Sequence, residues 1–264
     1  MRKVRLDQHL VNLGLVESRN RAQRAIDEGL IKVDGIIASK ASQMVTPDCN
    51  ISIIARPEFV SRAGLKLKAA LEHFKLSPLN KICADVGAST GGFTDCLLQH
   101  GARKVYAIDV GQGELHESLR KNPLVVVMEH TNARQLKSLP EPVDFVTIDV
   151  SFISLDFILP VVLNWFEGKP GEVVALVKPQ FEAGREIVKH TNGVIRDSAV
   201  HAQVLEQVMT LAQKLGYGLV GLARSPLMGS DGNTEFLLAL RVGSNSDHIC
   251  IPEAIAQVIS QENA

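Results

Sequence analysis

Asp85-Val86-Gly87-Ala88-Ser89-Thr90-Gly91-Gly92-Phe93 follows directly on the apolar run Ile82-Cys83-Ala84 and leads into Thr94-Asp95-Cys96-Leu97-Leu98-Gln99, a helix-like segment. The order is strand, glycine turn, helix. Small residues at such a junction let the backbone approach a ligand closely, and unpaired N–H groups at the helix start can hydrogen-bond it. The turn is not a phosphate-gripping P-loop, because no Lys-Ser/Thr pair follows Gly92, and it lacks the G-x-G-x-x-G spacing of a dinucleotide fingerprint. On these residues alone a ligand turn and a plain tight turn have similar weight.

Outward from the turn, apolar runs alternate with helical ones. Strands are expected at Ile82–Val86, Val105–Ile108, Val125–Met128, Phe145–Ile148, Val173–Val177, Leu219–Ala223 and Phe236–Leu240. Helices are expected near Phe93–His100, Glu114–Lys121, Ser154–Phe166 and Ser198–Leu215. This alternation implies an α/β fold, a mainly parallel Rossmann-like sheet with helices on both faces, whose ligand lies at the C-terminal strand ends. Seven strands closing on a hairpin-like pair suit the class I methyltransferase version.

Polar residues stand where a cofactor would lie. Asp85 ends the first strand and Asp109 the second; Asn132-Ala133 follows the third, Asp149 ends the fourth and Lys178 the fifth. Asp109 follows Gly87 at the roughly 20-residue separation at which an acid accepts ribose hydroxyls, a feature common to NAD and S-adenosylmethionine sites. Asn132 and Ala133 can frame an adenine, although a loop asparagine also forms simple turns. Lys178 ends the apolar strand Val173-Val174-Ala175-Leu176-Val177, where an ammonium is costly without an acid. Asp149, on the neighbouring strand, is the partner expected from topology. Glu235 begins the last strand, expected antiparallel and so on the same rim, and Lys66, ahead of the first strand, can complete the set.

The chain has 264 residues, 45% hydrophobic and 22% charged, enough for one large domain or a medium and a small one. No secretory signal opens it, and no apolar stretch approaches the roughly 18 residues of a membrane span, so a cytoplasmic protein with no membrane partner is expected. Cys49, Cys83, Cys96 and Cys250 lie far apart and form no Cys-x-x-Cys, which argues against a disulfide scaffold or a zinc site; no metal is expected.

Charge is uneven. Residues 1–68 hold 12 Lys+Arg against 7 Asp+Glu, and the remainder 16 against 22. A basic front on an acidic body points to a polyanion at the first domain. There, Leu6, Leu10, Val11 and Leu13 have helical spacing ended by Gly14, and Ser18 can cap a second helix, Arg19 to Glu28. The hairpin dipeptide Asp34-Gly35 then joins two β-like runs, with Ile51-Ser52-Ile53-Ile54 following.

The pattern Arg5-Leu6-Asp7…Leu10…Gly14-Leu15…Ser18-Arg19…Ala22…Ile26…Gly29…Val33…Gly35…Lys40 resembles the small α+β RNA-binding domain of ribosomal protein S-four and pseudouridine synthases. Arg2, Lys3, Arg5, Arg19, Arg21, Arg24, Lys32 and Lys40 would then contact phosphates, and the scarcity of aromatics suggests folded RNA recognised by shape. Further on, Ser61-Arg62-Ala63-Gly64-Leu65-Lys66-Leu67, the glycine turn, Glu129-His130-Thr131-Asn132-Ala133-Arg134, Asp149-Val150-Ser151-Phe152-Ile153-Ser154-Leu155, Lys178-Pro179-Gln180-Phe181-Glu182 and Gly232-Asn233-Thr234-Glu235-Phe236 look like the TlyA family, RNA 2′-O-methyltransferases also labelled hemolysins. Ala63, Gln112-Gly113-Glu114 and Thr191-Asn192-Gly193-Val194 depart from its commoner pattern.

The resemblance implies a catalytic tetrad of Lys66, Asp149, Lys178 and Glu235. It implies an S-adenosylmethionine site at Asp85, Gly87, Ser89, Thr90, Gly91, Gly92, Asp109, Asn132 and Ala133, and ribosomal RNA or ribosomal subunits as partner. The expected division is an RNA-binding unit at 1–56, a linker and packing helix at 57–80, the catalytic domain at 81–242 and a tail at 243–264. Lys178 would steer and deprotonate a ribose hydroxyl with Asp149 orienting it, Lys66 bringing a second positive charge and Glu235 holding that second ammonium. The competing readings are an NAD-dependent oxidoreductase, a membrane-lytic protein and a ribosome-binding factor without catalysis.

Overall fold

The structure is a computed structural model that describes residues 3–54, 58–191, 193–243 and 249–260. Arg2 and the first residue of the expected linker, Pro57, lie outside the described residues.

The N-terminal part folds as β1 (Val4–Arg5), α1 (Leu6–Asn12), α2 (Arg19–Asp27), β2 (Ile31–Val33), β3 (Ile36–Ile37), β4 (Met44–Val45) and β5 (Ile51–Ile53). Leu6 and Leu10 of α1 and Ala22 and Ile26 of α2 are spaced to share a face. They meet Ile31, Val33, Ala38 and Val45 in a core of their own. Ser18 Oγ accepts from Arg21 N and starts α2. Asp34 and Gly35 both adopt positive φ, 51° and 84°, as a two-residue hairpin requires, and β2 pairs antiparallel with β3 and β5. The separate pairing of β1 with β4 was not foreseen, because each strand is only two residues long.

The larger part begins with α3 (Ala63–Phe74), followed by β6 (Ile82–Val86), α4 (Gly92–Gln99), β7 (Lys104–Ile108), α5 (Glu117–Arg120), β8 (Val125–Met128), β9 (Phe145–Ile148), α6 (Leu159–Trp165), β10 (Gly171–Val177), α7 (Pro179–Glu182), α8 (Arg185–His190), α9 (Ser198–Lys214), β11 (Gly218–Arg224), β12 (Phe236–Val242) and α10 (Ile251–Ser260). Sheet order is β11-β12-β10-β9-β6-β7-β8, with β12 antiparallel to both neighbours. The packing helix expected within residues 57–80 is α3, which starts at Ala63 and so places Lys66 inside it. The residues expected as a tail hold α10, whose Ile255 and Val258 join the core, and α7 and α8 are not among the expected helices.

The pleat sorts the sheet's side chains between two layers. Val146 and Ile148 of β9, Val173, Ala175 and Val177 of β10, and Leu238 and Leu240 of β12 pack with α6, α9 and α10. Their alternates Phe145, Val174, Leu176, Leu237 and Ala239 pack with Leu67, Ala70 and Leu71 of α3 and with Phe93, Cys96 and Leu97 of α4. Continued one step past the strand ends, the second set leads to Asp149, Lys178 and Glu235. All three therefore stand on the face covered by α3.

Candidate active site at the strand ends

The glycine turn is shaped by close backbone contacts. Gly87 has φ 85°, and a Cβ there would lie 2.4 Å from the Asp149 carbonyl oxygen. Gly91, φ 96°, caps α4, and a Cβ on Gly92 would meet Ser61 Oγ and the Gly64 nitrogen, so α3 can approach only glycine. Beneath the turn Asp85 is fully buried. It accepts from Thr94 Oγ1 at 2.7 Å and Thr147 Oγ1 at 2.9 Å, tying β6, α4 and β9 together. Burial pushes its carboxyl up to about 6 despite the two hydroxyls. Asp85 and Gly91, both expected as cofactor contacts, line neither cavity described below; each supports the turn from behind.

A cavity of about 480 Å³ runs from Gly87 and Ser89 past Asp109, Asn132 and Ala133 to Phe152 and Ile153. Asp109 accepts from Ser89 N at 2.7 Å and Gly111 N at 2.8 Å, which fixes its carboxylate at the end of β7. Asn132 Oδ1 accepts from Arg134 N and Nε; that oxygen forms a turn, the plain alternative for a loop asparagine. Glu114, in a segment where the sequence departs from the family pattern, accepts from Ser89 Oγ at 3.1 Å and lines the same cavity.

A second cavity, about 320 Å³, shares Gly87, Ser89, Asp149 and Ser151 with the first, and Thr90 and Gly92 line it together with Lys66, Lys178 and Glu235. Lys178 Nζ lies 2.6 Å from Asp149 Oδ1, close yet not aligned as a hydrogen bond, and donates to Ser151 Oγ at 3.1 Å. Lys66 Nζ donates to Glu235 Oε2 at 2.5 Å. Lys66, Lys178 and Glu235 are all buried. The four expected tetrad residues thus form two lysine–carboxylate pairs around one cavity. Glu182 of α7 accepts from Ser154 Oγ and Leu155 N and so braces the loop after β9 against the end of β10, and burial raises its carboxyl above the usual range.

Of the expected RNA-contacting residues, Lys3, Arg19, Arg21 and Arg24 are exposed, and Arg5, Lys32 and Lys40 are half-buried. Arg5 and Arg19 both donate to the buried carboxylate of Asp7, whose titration is thereby held well below the usual range. Arg21 pairs with Glu17, and Lys40 Nζ reaches the carbonyl of Asp231, facing the catalytic domain.

Sequence reasoning passed over four residues at the cavities. Ser151 holds Lys178. Phe152 is 90% exposed with φ 62°, its ring 5.0 Å from that of Phe181. Arg62 and Asp27 line the tetrad cavity. Arg62 was legible, since it precedes Lys66 by one helical turn; a positive φ at Phe152 and the approach of Asp27 from the other domain carry no local signal.

A seven-stranded sheet in this order, with one antiparallel strand beside β10 and a glycine turn after its central strand β6, defines a Rossmann-like methyltransferase preceded by a small α+β domain. The FtsJ-like methyltransferase family matches residues 59–242, and the S4 domain matches residues 4–48. YqxC of Bacillus subtilis (strain 168), described as a candidate rRNA methyltransferase, is 47% identical over 247 residues, covering 90% of this chain and 86% of that protein. The 16S/23S rRNA (cytidine-2′-O)-methyltransferase TlyA of Mycobacterium tuberculosis (strain ATCC 25618 / H37Rv) is 42% identical over 244 residues, 91% of this chain and 90% of the relative. A solved structure described as a candidate hemolysin from Streptococcus thermophilus is 40% identical, with a TM-score of 0.76, covering all of this chain and 96% of that one. The chain belongs to the FtsJ-like methyltransferase family, in the S4-bearing TlyA group.

Proposed function

We propose that the protein transfers a methyl group from S-adenosylmethionine to a ribose 2′-hydroxyl of ribosomal RNA within a ribosomal subunit. The observation that carries this reading is the junction of the two cavities at Gly87, Ser89, Asp149 and Ser151, which sets a donor-sized trough against two buried lysine–carboxylate pairs.

The residues present fit the donor. The trough falls in the roughly 300–1,000 Å³ range of small-molecule pockets, and Gly87, which lines it, packs against the Asp149 carbonyl as only glycine can. Asp109 would take the ribose hydroxyls, Asn132 Nδ2 and the Ala133 backbone the adenine, and the Gly87–Gly92 turn the methionine end. When bound, the donor supplies a methyl already activated by its sulfonium. The chain's own task is alignment and proton removal. Lys178 Nζ in its neutral form holds the 2′-hydroxyl and takes its proton as the oxygen becomes a nucleophile. Asp149 and Ser151 fix the Lys178 side chain, and Glu235 fixes Lys66 across the cavity. Phe152, exposed on a left-handed backbone, offers a stacking face for an unstacked base.

The N-terminal domain, taken as residues 1–56, would hold RNA phosphates through its exposed arginines without reading sequence. A membrane-lytic action has less support, since no helix among the described residues is long and apolar enough to cross a membrane. An oxidoreductase reading has no use for the tetrad.

The test is calorimetry with S-adenosylmethionine and with NAD, followed by transfer of labelled methyl to isolated ribosomal subunits. Binding of the first alone and RNase-sensitive label are expected; NAD binding, or label that survives RNase and yields to protease, would overturn the reading.

A further inference from the structure

Arg62 occupies an unusual electrostatic position at the mouth of the tetrad cavity. It precedes Lys66 by one turn of α3 and lines the same cavity, beside Gly229, Ser230 and Glu235 of the loop before β12. Its Nη1 donates to the carbonyl of Ser39 in the N-terminal domain. Among the described residues no carboxylate lies within ion-pair distance of it, although its guanidinium is half-buried. The surrounding charges do not make good the loss of water. Desolvation lowers its basicity, and the more distant Asp27 and Glu235 only partly oppose this. Glu235 is committed to Lys66. Asp27, at the C-terminal end of α2, is exposed and lines the cavity from the other domain.

A guanidinium has five N–H donors in a planar fork, matched to two oxygens of a phosphate. One donor on a backbone carbonyl leaves most of that fork free. A half-desolvated cation with free donors, facing a cavity that must admit a nucleotide, has the chemistry of an anion subsite.

We propose that Arg62 grips the phosphodiester next to the target ribose, and that Asp27 is the counter-charge this phosphate displaces when RNA enters. The proposal rests on the RNA-methyltransferase reading above and deepens it: the N-terminal domain supplies part of the catalytic mouth, so RNA docking and entry of the target nucleotide are coupled through one arginine. Arg62 is a positioning residue for substrate; the proton transfer stays with Lys178.

The experiment uses the full-length chain, with ribosomal subunits from cells lacking the protein as the probe. Equilibrium binding and methyl transfer are followed at several salt concentrations for wild type, Arg62→Gln, Arg62→Lys and Asp27→Asn. Loss of one charge-assisted phosphate contact predicts a KM for subunits raised about tenfold in Arg62→Gln, and a log–log salt slope of binding lower by about one. Affinity for S-adenosylmethionine stays at the wild-type value. Arg62→Lys recovers the salt slope and part of KM, and Asp27→Asn lowers KM by a few-fold because a like charge facing the phosphate is gone. An unchanged slope in Arg62→Gln, or equal loss in Arg62→Gln and Arg62→Lys with a fall in thermal stability, would make Arg62 an interdomain brace and overturn the proposal. The binding slope reads the subsite even if wild type transfers no methyl, so failure of the broader reading shows separately.

Discussion

The two domains each bury a carboxylate completely, and in opposite company. In the N-terminal domain Asp7 lies under Arg5 and Arg19, which hold its titration below the usual range. In the catalytic domain Asp85 is held by the neutral hydroxyls of Thr94 and Thr147, with no cation of this kind among its described partners, and burial raises it to about 6. The cations are distributed in the same contrasting way. The first domain keeps Arg21 and Arg24 at its surface, in water, where taking up a phosphate costs little. The second keeps Lys66 and Lys178 buried against Glu235 and Asp149, where each side-chain nitrogen is held in one geometry. The first arrangement suits reversible capture of a polyanion; the second suits placing a proton acceptor at one atom.

The comparison can be sharpened by perturbing each side in turn. The largest effect belongs to Lys178→Met, for which a loss of the general base predicts a fall in kcat of about 10³-fold, with S-adenosylmethionine affinity unchanged by calorimetry because the trough does not include that side chain. Next is Lys66→Met. Removing one partner of a buried pair leaves Glu235 uncompensated, and denaturant unfolding should show a loss of about 3–4 kcal/mol.

Asp85→Asn and Asp7→Asn test the two carboxylates by their pH dependence. Asp85 has a folded value raised from 3.8 to about 6, so its contribution to stability is fully present below pH 4 and is lost as pH rises toward 6. Relative to Asp85→Asn, the wild type should lose about 3 kcal/mol across that window. Asp7 is shifted the other way: its contribution is present above pH 4 and is lost as pH falls, so wild type and Asp7→Asn should converge in acid. Parallel pH curves for wild type and both variants would remove the distinction between the two sites.

The smallest effect is expected at the surface. Arg24 is exposed, and Arg24→Gln should raise KM for ribosomal subunits only a few-fold and lower the salt slope by about one, leaving kcat alone.

Much of this arrangement is legible in the chain. Strand ends at Asp85, Asp109, Asp149 and Lys178 follow from runs of apolar residues broken by a single polar one. The pleat then assigns a face: Phe145, Leu176 and Leu237 alternate with the residues packed on α6 and α9, and the same alternation brings Asp149, Lys178 and Glu235 to the side of α3. Other features depend on packing rather than periodicity. Asp85 reads as a cofactor contact because it stands before the glycine turn, but Thr94 and Thr147 hold its carboxylate beneath that turn. Arg62 and Asp27 meet at the cavity only because the two domains dock, through Arg62 on Ser39 and Lys40 on Asp231, contacts that no local pattern encodes. Lys40 reads as a phosphate contact for the same reason: its charge is visible in sequence and its partner is not.

The central claim is that the two cavities align a ribose hydroxyl with the methyl donor. It is tested most directly by digesting labelled ribosomal RNA after a single turnover and locating the methyl. A 2′-O-methyl group blocks alkaline cleavage of the bond that follows it, so the account predicts label confined to alkali-resistant dinucleotides at defined positions with wild type and absent with Lys178→Met. Label on a base, released in ordinary mononucleotides, or undiminished label with Lys178→Met, would contradict it.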